Sequence, residues 1–283
     1  QGSLTLGNGG RSDGGTFKIA ADNDEQWNGD YTLDADTTLE SEGTILVSGG
    51  NVDFQSLSTD LTDLKVTNGT FNLAKDNLDL TNLEIGGGTL NLSGTTNINN
   101  DFNLSYGTLN TTGRINLLGE NNEWSGGEFG GSGIINVDSG TTLNITQGYS
   151  KYLKDDITLN NEGTIIWDGN NHIYGVYNSN NQVINNKDKG VFEIKNNRDF
   201  RYLTFNNEGS LIKSDSTGET DFYYSILNNT GAVDLRQGSL TLGNGGRSDG
   251  GTFKLAADTV AQWNGDYTLD ADTTLESEGT ILV

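Results

Sequence analysis

The sequence predicts an all-β protein, a right-handed parallel β-helix (β-solenoid) that runs through residues 1–283 as one continuous body. Three observations carry this. A long internal repeat is present, a short apolar motif with period two recurs after glycine, and an apolar-Asn-Asn triplet returns at intervals of one solenoid coil.

The long repeat lays residues 1–47 on 237–283 with 43 of the 47 pairs identical. Residues 1–236 therefore form one full long-period unit, and 237–283 begin the next. The differences are Ile19 against Leu255, an apolar exchange, and Asn23-Asp24-Glu25 against Thr259-Val260-Ala261. That triplet is a local change of charge and reads as an exposed turn. Neither end of the sequence carries a visible cap, so the solenoid is expected to be uncapped at both ends and to continue in further units.

The short motif is Gly, usually Thr or Ser, then two apolar residues separated by one other. It stands at Gly15-Thr16-Phe17-Lys18-Ile19, Gly69-Thr70-Phe71-Asn72-Leu73, Gly88-Thr89-Leu90-Asn91-Leu92 and Gly238-Ser239-Leu240-Thr241-Leu242. Alternation puts Leu90 and Leu92 on one face and Thr89 and Asn91 on the other, the pattern of a half-buried strand. The triplets are Leu159-Asn160-Asn161, Ile184-Asn185-Asn186, Phe205-Asn206-Asn207 and Leu227-Asn228-Asn229, spaced by 25, 21 and 22 residues. Stacked columns of Asn are expected to add side-chain hydrogen bonds. The uneven coil length, together with the general preference for right-handed parallel crossovers, predicts the hand. A tandem array of β-sandwiches would also use alternating strands, but the motif recurs at single-coil intervals and no change of composition marks linkers.

Composition agrees with a thin core and many turns. Hydrophobic residues make 32%, Gly numbers 40 and Asn 36, and Pro, Cys and Met are absent. A net charge of -23 argues against nucleic acid and against polybasic attachment to lipid. Without cysteine there is neither a disulfide framework nor a thiolate zinc site. No transmembrane segment is expected, since no apolar run approaches the roughly 18 residues a membrane helix needs, and an export signal or anchor is expected to lie outside these residues.

Several phrases resemble the units of very large bacterial β-strand-repeat surface proteins, similar in style to filamentous haemagglutinin and autotransporter adhesin passengers. They are Trp124-Ser125-Gly126-Gly127 followed by Gly131-Ser132-Gly133-Ile134-Ile135-Asn136-Val137, Gly140-Thr141-Thr142-Leu143-Asn144-Ile145, Leu159-Asn160-Asn161-Glu162-Gly163-Thr164 with Trp167, and Phe205-Asn206-Asn207-Glu208-Gly209. The likeness spans nearly the whole chain, and its motifs report fold more than activity. It implies an exported fibre at the cell surface or in a matrix, whose partners are further copies of itself and host, cell-surface or matrix glycans. The sequence shows no secretion domain, Arg-Gly-Asp tripeptide or membrane anchor of the kind such passengers carry.

Candidate sites are few. An enzyme of the β-helix type, such as one that degrades polysaccharide, needs paired carboxylates with supporting groups on a lateral sheet. Asp155-Asp156 is the nearest pair and reads as a solvated turn, so no catalytic residue is expected. His172, the only histidine, sits in a Gly- and Asn-rich stretch and reads as a surface or packing residue. Calcium is the one cofactor considered, with Asp13, Asp34 and Asp36 and their copies Asp249, Asp270 and Asp272 as ligand candidates; the alternative is hydrated acidic turns. Tyr149, Tyr152, Tyr174 and Tyr177 are candidates for stacking on sugars or binding a protein, within a Tyr-rich region from 147 to 224. The four Trp offer a similar surface, or else fill wide coils.

Overall fold

The computed structural model describes residues 2–55, 61–179 and 181–283. Every regular element among them is a strand, every strand pairing is parallel, and there is no helix. The chain divides into two compact units, Gln1–Ile134 and Ile135–Val283, each of them a β-solenoid.

In the first unit each coil has three sides. The first side stacks Ser3–Leu6, Asp24–Asn28, the end of Thr37–Gly49, Leu61–Val66, the end of Leu78–Ile85, Asp101–Leu104 and Asn121–Trp124. The second side runs from Gly10–Ser12 through Tyr31–Leu33, Asn51–Phe54, Thr70–Ala74, Thr89–Ser93 and Thr108–Thr111 to Gly127–Gly130. The third includes Gly15–Ile19, the start of Thr37–Gly49, Thr95–Ile98 and Arg114–Leu117. Thr37–Gly49 and Leu78–Ile85 are long because each passes from the third side to the first without a break.

Alternation sends every second residue inward and stacks like on like. One interior column reads Trp27, Val47, Val66, Ile85, Leu104, Trp124, with all six fully buried. Another reads Phe71, Leu90, Leu109, Phe129, which places Leu90 inside as its sequence motif requires. Burying side chains of this size contributes about 1.5–3 kcal/mol each, against the conformational entropy of ordering so many short strands. The glycine that opens the motif has a steric reason. Gly88 has φ 67, and a Cβ there would stand 2.5 Å from the carbonyl oxygen of Gly69; only glycine lets successive corners stack so closely.

The outer faces carry amide ladders that donate toward the preceding coil. Asn116 donates to Asn97 at 2.8 Å and Asn97 to Asp79 at 2.8 Å. Asn100 donates to Asn82 at 2.9 Å and Asn82 to Asp63 at 2.6 Å. An ionised carboxylate can only accept, so the Asp at the foot of each ladder fixes the direction of every amide above it.

The second unit has the same three-sided plan. Its first side stacks Thr158–Asn161, Val183–Asn186, Thr204–Asn207, Ile226–Asn229, Gly246–Ser248 and Tyr267–Leu269. Its second runs from Thr142–Ile145 through Thr164–Trp167, Val191–Ile194, Ser210–Lys213, Ala232–Leu235 and Thr252–Leu255 to Thr274–Ser277. Its third runs from Lys151–Leu153 through Ile173–Tyr174, Phe200–Arg201, Glu219–Tyr223, Ser239–Leu242 and Val260–Trp263 to Thr280–Leu282.

The four apolar-Asn-Asn triplets lie in register on the first side, at the intervals read from the sequence. The two Asn of each pair do different things. The first faces out, and Asn228, Asn206, Asn185 and Asn160 each donate to the coil before, ending on Asn136. The second faces in, and Asn161, Asn186 and Asn207 each donate to the coil after at 2.7–2.8 Å. The same three amides also reach the carbonyls of Val191, Ser210 and Ala232, which satisfies buried groups that would be costly alone. Lys213 is buried too. Its Nζ is held by Asn196 O at 2.8 Å, Ser216 Oγ at 3.0 Å and Thr220 Oγ1 at 3.1 Å, and burial pushes its pKa down to about 8.

The three-residue difference between the copies corrects the sequence reading. Asp24–Asn28 is a strand rather than an exposed turn, and Glu25 points into the column of Ile45 and Leu64. Glu25 is 2% exposed, and its Oε2 meets no donor. Burial pushes the carboxyl up to about 7 from an ordinary value of 4.5; the Trp27 indole opposes this only weakly, and its Nε1 closes no hydrogen bond. In the second copy, Thr259 and Ala261 are likewise buried.

Candidate functional site

The regularity of the outer faces is interrupted on the third side of the second unit. Across four coils the inward residues are Lys151, Ile173, Phe200 and Phe222, and the outward ones are Tyr152, Tyr174, Arg201 and Tyr223. Elsewhere outward strand positions are mostly Thr, Asn, Asp or Lys. Tyr152 and Tyr174 stack with centroids 5.2 Å apart and planes at 23°. The Arg201 guanidinium lies 5.8 Å from the Tyr174 ring and 5.2 Å from the Tyr223 ring, and Lys154 Nζ lies 5.3 Å over Tyr152. Cation–π contacts of this kind contribute about 0.5–1 kcal/mol each at exposed sites.

Polar groups order the ladder. Arg201 Nε and Nη2 both donate to Asp199 Oδ2, at 3.2 and 2.8 Å. The Asp199 backbone N–H donates to His172 Nδ1 at 2.9 Å, which makes that nitrogen an acceptor and leaves the ring proton on Nε2. Burial lowers the His172 pKa, in keeping with a neutral ring, so the 3.3 Å approach of Asp199 Oδ2 to the same nitrogen is not an ion pair. Asp221 lies beside this group. Its Oδ1 is buried without a donor, and burial, reinforced by the charges of Asp199 and Glu219, pushes its carboxyl up to about 6.

At the corner that follows, Tyr202 and Tyr224 occupy the same place in successive coils, with φ of 62 and 49. Left-handed backbone is unfavourable for a bulky residue and costs on the order of 1–3 kcal/mol. The other described non-glycine residues with positive φ are all Asp or Asn, which tolerate it better. Tyr202 and Tyr224 stand roughly parallel, 5.9 Å apart, with Tyr177 perpendicular to Tyr202 at 5.2 Å and Tyr223 perpendicular to Tyr224 at 4.7 Å. Tyr177 reaches them from an enlarged coil, since Thr164 pairs with Val191, 27 residues on, whereas Val191 pairs with Ser210 after 19. Gln182 ties that insertion down by accepting from the Val176 N–H and donating to Asp155 O.

Of the four Tyr singled out in the sequence, Tyr152 and Tyr174 are brought together, Tyr177 joins the corner cluster, and Tyr149 sits 64% exposed in a turn. The sequence reading missed Tyr202, Tyr223, Tyr224 and Arg201 as members. A signal for two of them was available: aligning the coils on their Asn pairs puts Tyr202 and Tyr224 four residues before Asn206 and Asn228 alike. The four Trp all lie inside the coils and none is a surface platform. Asp155 and Asp156 occupy a turn, with Asp156 Oδ1 accepting from Asn181 at 2.9 Å.

The acidic residues weighed for calcium form the same clamp in both copies. Asp34 Oδ1 accepts from Gly14 N, Asp36 N and Thr37 Oγ1, and Asp270 Oδ1 from Gly250 N, Asp272 N and Thr273 Oγ1. Arg11 approaches Asp13 and Asp34, and Arg247 approaches Asp249 and Asp270. A hydrogen bond from Asp13 holds the Asp34 pKa down and raises that of Asp13, while its equivalent from Asp249 holds Asp270 at about 2. The Asp34 and Asp270 carboxylates are engaged in closing a turn, to which Asp36 and Asp272 contribute a backbone N–H. Among the described residues no three His, Cys, Asp or Glu side chains come together as a metal cluster.

No protein-family model matches the chain, and no curated protein or solved structure matches it.

Proposed function

We propose that the chain is a structural repeat segment of a long extracellular bacterial fibre or surface adhesin, acting as a stiff, non-catalytic spacer or filament. The observation that carries this reading is the exact recurrence of register. Ser3 pairs with Asp24, Gly10 with Tyr31 and Thr16 with Thr38; 236 residues later Ser239 pairs with Val260, Gly246 with Tyr267 and Thr252 with Thr274. A segment that folds the same way each time it recurs suits a task that scales with number, and length is the simplest such task.

Internal columns of like residues and parallel main-chain ladders resist local opening, because each coil is held by the coil on either side. The charge of -23 favours separation of neighbouring molecules over lateral collapse.

Proteins carrying one, two and three 236-residue repeats, imaged by electron microscopy, test the proposal. About 11 coils at roughly 4.8 Å each should add a constant increment of about 50–55 Å per repeat. An increment that varies between repeats, or separated beads, would contradict it.

A further inference from the structure

The tyrosine corner of the second unit is unexplained by a spacer role. A turn that needs left-handed backbone is served at least cost by Gly, Asn or Asp, and the other corners of this kind use them. Tyr202 and Tyr224 adopt that backbone with a large ring attached, so the ring rather than the turn accounts for the residue. The rings are also displayed. Tyr177 is 65% and Tyr224 52% exposed, on a protein whose other large aromatic side chains mostly fill the core.

We propose that Tyr177, Tyr202, Tyr223 and Tyr224, with the adjoining Arg201–Asp199 pair, bind an extended, neutral, β-linked polysaccharide. Tyr offers an apolar face for sugar C–H groups and a hydroxyl for sugar oxygens, which is the amphipathic chemistry of a pyranose ring. Neutrality follows from Arg201. Its Nε and one Nη are already held by Asp199, with Asp221 and Glu219 close by, so the corner offers no excess of positive charge to an acidic polymer. Successive coils repeat at roughly 4.8 Å, comparable to the length of one sugar in an extended β-(1→4) chain, so Tyr202 and Tyr224 can meet successive residues of one polymer. The site goes beyond the spacer role and does not depend on it.

The test is isothermal titration of the full chain with cellohexaose and with N-acetylchitohexaose, using maltohexaose, which coils, as the control. The expected result is saturable binding of at least one of the two extended oligosaccharides and weaker binding of maltohexaose. Tyr224→Gly should weaken that binding at least ten-fold with no fall in melting temperature, because glycine relieves the strained backbone; Tyr177→Ala should weaken it as well. Absence of binding to both extended oligosaccharides at millimolar concentration would overturn the proposal and leave the corner to a protein partner. Unchanged affinity in both variants would also overturn it, as would a clear loss of melting temperature in Tyr224→Gly, which would make the ring a structural element.

Discussion

Residues 3–47 and 239–283 are close to a duplicate, and they fold with the same strand pairings, yet one inward position is filled differently in the two. Glu25 in one copy and Ala261 in the other occupy that position, one a carboxyl without a donor and the other a methyl. Pattern along a strand thus sets which way a residue points, and the identity of the side chain sets what its burial contributes.

The largest effect expected separates an inward from an outward position of one strand. Leu90→Asp buries a charge without a partner and should cost about 4 kcal/mol or more, whereas Thr89→Asp, at the outward position beside it, should cost less than about 1 kcal/mol. Urea unfolding of each variant checks this. Equal losses at the two positions would contradict the inward assignment of Leu90.

Next comes the carboxyl at Glu25. Its pKa in the folded chain, about 7, lies above its ordinary 4.5, so the folded state holds the proton more tightly than the unfolded state. Stability is therefore greatest, for this group, below pH 4.5 and falls as pH rises through 7, by about 3 kcal/mol in all. Glu25→Ala, which installs the residue of the second copy, should remove that decline and stabilise the chain above pH 7. Ala261→Glu should introduce a similar decline. Melting temperatures of the three proteins from pH 4 to 8 check the sign, and a parallel fall in the parent and Glu25→Ala would locate the pH dependence elsewhere.

The smallest effect concerns a feature the copies share. Asp34→Ala and Asp270→Ala each remove the acceptor of three turn hydrogen bonds and should lower the melting temperature by similar small amounts. A loss in one copy alone, or one reproduced by adding a chelator to the parent, would mean that the carboxylates do more than close the turn.

Much of the fold was legible because a solenoid writes its period into the chain. The Asn pairs gave the coil interval, and alternation at Leu90 and Leu92 gave the inward face. The same alternation places Glu25 inside, two residues before Trp27, but a charged residue in a variable triplet suggested an exposed turn instead. The same alternation puts the second Asn of each pair inward, two residues after the buried apolar residue of its triplet; its hydrogen bonds to the following coil emerge only when the coils are stacked. The tyrosine site was partly legible: richness in Tyr marked the region, but left-handed backbone at Tyr202 and Tyr224 runs against the intrinsic preference of Tyr and emerges only when the coils are stacked.

The most direct test of the account is the axial diffraction of aligned native assemblies. Parallel coils stacked within each of the two units predict a strong meridional reflection at about 4.8 Å. A pattern without that reflection, together with separate globular beads in the electron microscope, would contradict the solenoid and the spacer function built on it.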